Sequence, residues 1–81
     1  MDDEQLTGRI GELVAREREL REKAGAAGGL DDEGRAELSR LQVRLDQTWD
    51  LLRQRRAREE FGDNPDDAKM RPPDEVEHYR Q

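Results

Sequence analysis

Four arginines crowd one short stretch, Arg53, Arg55, Arg56 and Arg58. Guanidinium groups bind phosphate and carboxylate oxygens two at a time, so this cluster is the candidate anion-binding feature of the chain. Arg55 and Arg56 stand four residues before Glu59 and Glu60, and pairing within the helix is the competing use of the same charges. No aromatic residue is interleaved with the cluster, which weakens a single-stranded nucleic-acid reading. Catalytic chemistry is harder to assemble. The one histidine, His78, lies three residues after Glu75 and makes half of a carboxylate-bridged metal motif with no second half. Gly25, Gly28 and Gly29 lack the Lys and Ser/Thr partners of a phosphate loop. No enzymatic activity, metal or cofactor is therefore expected.

These side chains must be positioned by helices. In residues 3–24, Leu6, Ile10, Leu13, Val14, Leu20 and Ala24 fall on one face, with Glu–cation pairs at i,i+4 around the rest. Glu17 interrupts that face between Leu13 and Leu20. Its stem can lie along the seam while the carboxylate reaches water or an arginine, or it can act as a seam polar residue that sets register. The glycine-rich run 25–29 ends the helix and reverses the chain, and Asp31 to Glu33 supply a cap and negative charge for the next one. A second helix over about 32–60 carries the stripe Leu38, Leu41, Leu45, Trp49 and Leu52, with Val43 and Leu51 off it. Folding back at the glycines sets Leu20 beside Leu38, Leu13 beside Leu41, Ile10 beside Leu45 and Leu6 beside Trp49. The rest of the second helix, with its arginines, then overhangs.

After Phe61-Gly62, Asn64-Pro65 reads as a cap with proline at the first helical position, opening a short turn at 65–69. Pro72-Pro73 reads as a block to further helix. Residues 62–81 are accordingly expected to form a mostly irregular, mobile tail.

Composition limits the options further. The chain has 81 residues, 31% hydrophobic and 44% charged, with a net charge of −6. It can hold one domain, and only the helical spacing of its few apolar residues separates it from a disordered chain. The acidic balance disfavours general binding to nucleic acid or an anionic membrane. Cysteine is absent, so disulfides and thiolate metal sites are excluded. The acidic start, Met1-Asp2-Asp3-Glu4, precedes no apolar run, and nothing approaches a membrane span, so a cytoplasmic location is expected.

The run Leu45-Asp46-Gln47-Thr48-Trp49-Asp50-Leu51-Leu52-Arg53-Gln54-Arg55-Arg56-Ala57, followed by Phe61-Gly62, Asn64-Pro65-Asp66 and Arg71-Pro72-Pro73, resembles a family of short actinobacterial proteins, domain of unknown function 2630. The resemblance covers nearly the whole chain and implies a bacterial protein, without bringing any catalytic or binding residue with it. A second similarity is to the helical-hairpin anti-sigma factors that bind cyclic di-GMP. Ser39 and Asp50 match their motif, whereas Arg35, Gln42 and Asp46 stand where it has Glu, Arg and Gln. No ligand set carries over.

The expected architecture is thus all-α: an antiparallel, coiled-coil-like hairpin that dimerises into a four-helix bundle. One seam between two helices leaves each core side chain with water on its flanks, and chains of this size often need a partner. The expected function is a non-enzymatic interaction or regulatory module for a protein partner or a second copy of itself. The alternative is a small regulator that binds a nucleotide, cyclic dinucleotide or RNA through the second-helix arginines.

Overall fold

The first helix, α1 (Asp3–Ala24), is opened by a capping box. Asp2 Oδ1 accepts from the Gln5 N–H at 2.8 Å, and Gln5 Oε1 accepts from the Asp2 N–H at 2.9 Å, so two otherwise orphaned donors are satisfied. At its other end the Gly25 N–H donates to the Arg21 carbonyl at 3.1 Å with a right-handed φ of −83°. The left-handed residues lie further on, inside the reversal: Gly28 at φ 91° and Gly29 at φ 59°. Side chains are rarely tolerated there, which is why the turn is built from glycine. The second helix, α2 (Asp32–Glu60), is capped by Asp31, whose Oδ1 accepts from the Gly34 N–H at 2.7 Å. It runs back antiparallel along α1. The computed structural model describes the backbone of residues 1–79 and the side chains of residues 1–76.

Leu6, Ile10 and Leu13 of α1 pack with Leu45, Leu51 and Leu52 of α2 in one buried cluster, with Val14 and Leu41 partly buried against it. Leu20 is buried and Leu38 half-buried. Arg16 bridges the two helices by holding both oxygens of Glu37, Nε to Oε2 at 2.7 Å and Nη2 to Oε1 at 2.8 Å. That hydrogen bonding lowers the Glu37 carboxyl from its ordinary pKa, with partial desolvation acting against it, and raises the Arg16 guanidinium.

Trp49 is not in this core. It is 41% exposed, whereas its neighbour Thr48 is 1% exposed. The seam on α2 runs through Leu41, Leu45, Thr48, Leu52 and Arg55, the strict four-three alternation of a heptad. Choosing Trp49 for its hydrophobicity breaks that alternation and rotates the stripe off the contact line. Thr48 tolerates burial because its hydroxyl donates to the Arg44 carbonyl at 2.7 Å. Leu51, off the expected stripe, is buried as well.

The expected irregular tail is instead folded onto the second half of α2. A short 3-10 turn (Pro65–Asp67) is capped by Asn64 Oδ1, which accepts from the Asp66 N–H at 3.0 Å. Ala68 and Met70 then pack on the core cluster, and a third helix, α3 (Pro73–Tyr79), buries Val76. Pro73 starts this helix rather than blocking it. It occupies the first helical position, where a missing N–H costs nothing, and the Pro72 carbonyl accepts the first helical bond from Val76 at 3.2 Å. The C-terminal segment therefore lies along α2 between Arg44 and Arg55, while residues 56, 57, 59 and 60 at the helix end stay exposed.

Candidate functional site

The four arginines of the expected anion site are not brought together. At 100° per residue, Arg53 and Arg56 lie on one side of α2 and Arg55 and Arg58 on the other. Arg53 and Arg56 are exposed, Arg58 is half-buried, and Arg55 is only 6% exposed. Arg55 is also engaged internally, through Nε and Nη1. Its Nε donates to Asp3 Oδ1 at 2.7 Å, and its Nη1 donates to Asp66 Oδ1 at 3.0 Å and to the Pro65 carbonyl at 3.2 Å. These hydrogen bonds raise its pKa, against the opposing effect of burial. The residue joins the start of α1, the end of α2 and the 3-10 turn, and is closed to an external anion.

A second polar node, not anticipated, holds the next stretch of tail. Asp50, 5% exposed, receives Arg71 in a two-pronged bond, Nη2 to Oδ1 at 2.8 Å and Nε to Oδ2 at 2.9 Å. Gln54 Nε2 donates to Asp50 Oδ2 and to the Lys69 carbonyl, each at 2.9 Å, and Gln47 Nε2 donates to the Arg71 carbonyl at 3.1 Å. Gln47, Asp50 and Gln54 have the i, i+3, i+7 spacing of one helix face. That polar stripe was the available sequence signal, hidden because apolar stripes are the ones usually sought. Asp50→Ala should therefore loosen the tail while sparing the hairpin. Amide exchange should accelerate over residues 68–76 and stay slow around Leu13 and Leu45; unchanged exchange in the tail would show that apolar packing alone holds it.

Two shallow grooves flank the helix seam on opposite faces. One, about 610 Å³, is lined by Val14 and Glu17 of α1 and by Gln42, Val43, Asp46 and Trp49 of α2. Glu17 pairs here with Arg21 at 3.6 Å, its side chain 22% exposed. The other, about 300 Å³, has Leu13 and Leu41 as its floor and Arg9, Arg40, Arg44 and Glu37 around it. Among the described residues no group of His, Cys, Asp and Glu is arranged to hold a metal, and no helix is long and apolar enough to cross a membrane. Glu75 lies 3.9 Å from Arg71, and the side chain of His78 is outside the described residues.

Comparison with known proteins places the chain in context. Residues 2–81 match the family model described as protein of unknown function, DUF2630. The uncharacterized proteins Rv0898c of Mycobacterium tuberculosis and Mb0922c of Mycobacterium bovis are each 43% identical over 77 residues, covering 95% of this chain and 88% of the relative. No solved structure matches.

Proposed function

The chain belongs to the DUF2630 family, and we propose that it is a non-enzymatic interaction module that pairs through its Trp49 face with a second copy of itself. The observation that carries this reading is the position of Trp49, 41% exposed in a groove whose walls include half-buried Val14 and Val43. A tryptophan left at the surface beside other apolar groups is the usual anchor of a protein interface. Shape supports the same reading. The molecule measures 52 × 26 × 16 Å, and its least dimension is about one and a half helix diameters. It is a single layer of helices, and a helical layer ordinarily finds a second to pack on. The hairpin face spans on the order of 30 by 20 Å, so a two-fold dimer would bury roughly 1,200 Å² in total, the lower end of stable interfaces. Four helices, two from each copy, would then surround the Trp49 side chains.

The alternative, an anion held by the arginines at 53–58, loses Arg55 to internal pairing and keeps only Arg53 and Arg56 together, with Arg58 on the other side of the helix.

Light scattering at micromolar concentration tests the dimer. A mass near twice 9.4 kDa is expected. Trp49→Glu should weaken association by about thirtyfold or more, the loss typical of a central aromatic anchor. Glu17→Leu, which adds apolar surface to the same groove, should strengthen it. A mass near 9.4 kDa for the unaltered protein, or a dimer indifferent to Trp49→Glu, would overturn the reading.

A further inference from the structure

The groove on the opposite face from Trp49 is built from a different chemistry. Its floor is Leu13 and Leu41, and Arg9, Arg40 and Arg44 stand around it. Three guanidinium groups at one place are notable in a chain of net charge −6. Their existing partners are poor. Arg40 makes no hydrogen bond or ion pair among the described residues. Arg44 Nη1 donates to the thioether sulfur of Met70 at 3.4 Å, a weak acceptor. Arg9 meets Glu12 at 3.3 Å across an exposed i,i+3 contact, the kind of pair that contributes little. The one carboxylate on the rim, Glu37, already has both oxygens taken by Arg16 from the neighbouring seam. Glu37 acts on Arg40 only through space, without a direct bond, so the guanidinium forks of this face keep donors to offer.

We propose that this groove binds a nucleotide, its phosphate held by Arg40, Arg44 and Arg9 and its base lying on Leu13 and Leu41. Guanidinium forks match phosphate oxygens, and Arg40 and Arg44, one turn apart on α2, share a helix face and both line this groove. A bare inorganic anion would leave the apolar floor unused. A planar body attached to the phosphate covers it and stacks against a guanidinium plane. At about 300 Å³ the groove is at the small end of ligand sites, which fits a mononucleotide rather than a larger cofactor. This site is independent of the Trp49 face, so either assignment can fail without the other.

Titration of the isotope-labelled protein with guanosine monophosphate and adenosine monophosphate, followed by backbone amide shifts, tests it. Inorganic phosphate and the uncharged nucleosides serve as separate arms. At least one nucleotide should shift the amides of Arg9, Leu13, Arg40, Leu41 and Arg44, with an affinity at least about tenfold tighter than phosphate or its nucleoside. The double variant Arg40→Gln, Arg44→Gln should lose about tenfold or more of that affinity, with its helix content preserved because glutamine is nearly as good a helix former. Arg53→Gln with Arg56→Gln should leave it unchanged. No shift at millimolar nucleotide overturns the assignment. So does a shift that survives in the Arg40/Arg44 variant, or inorganic phosphate binding as tightly as the nucleotides.

Discussion

Replacing Arg55 with alanine is expected to lower the melting temperature by roughly 10 °C or more, a large shift for a domain of this size. Three losses act together. The long side chain fills the end of the helix seam beside Leu52, so its removal leaves a void. The Pro65 carbonyl and the carboxylates of Asp3 and Asp66 lose their common donor. The first turn of α1 and the 3-10 turn, separated in sequence by about sixty residues, are no longer tied to one point. Asp66 is well exposed and can return to water, so the packing loss and the untying weigh more than stranded charge. Arg55→Lys keeps the charge and most of the stem but cannot span Asp3 and Asp66 with a fixed fork, and its melting temperature should fall between the two. Amide exchange locates the effect: faster exchange should appear at residues 66–68 and at the start of α1. A shift of only a degree or two for Arg55→Ala would mean that the tail and the hairpin hold together without this node.

Leu6→Ala should be comparably severe, about 2–4 kcal/mol by the usual cost of emptying a buried leucine site. Leu6 is 0% exposed, the most completely enclosed apolar side chain among the described residues, and it lies in the cluster with Leu52 and Leu45. A thin structure has few atoms that can relax into the cavity. A loss of that size is a large share of the stability available to a small domain. Leu6→Met, which conserves volume, should cost less than about 1.5 kcal/mol. Urea unfolding measures both, and an unchanged slope would assign the change to the folded state. Trp49→Ala is the informative contrast. In an isolated chain it should cost far less than Leu6→Ala, because its ring is 41% exposed; a cost as great would place Trp49 in a core, within or between chains. The proposed dimer therefore predicts that the penalty at Trp49 grows with protein concentration, while the penalty at Leu6 stays constant.

The two faces of the hairpin divide the remaining chemistry. One presents Trp49, Val14 and Val43 around Glu17; the other presents Arg9, Arg40 and Arg44 over Leu13 and Leu41. A dimer through the first would leave the second open on each outer surface of the bundle.

Local information in the sequence was enough for the two long helices and their antiparallel return. Apolar residues at threes and fours, an Asp at the start of each helix and a glycine-rich break are short-range signals, and each acts within one or two turns of chain. The same local logic failed where the deciding contact was remote. Hydrophobicity chose Trp49 for the seam, but the shared axis of two packed helices requires the four-three alternation, and that put Thr48 inside. The arginines 53–58 looked like one patch because they are adjacent in sequence, whereas the 100° step of the helix scatters them and a partner 52 residues away takes Arg55. Pro72-Pro73 carried two opposite local meanings, helix stop and helix start. Docking of Val76 and the grip of Asp50 on Arg71, 21 residues apart, selected the second. Tertiary structure decided these points because a charge pair or a buried side chain between distant segments leaves no period in the sequence, and its free energy exists only once the chain has brought both partners together.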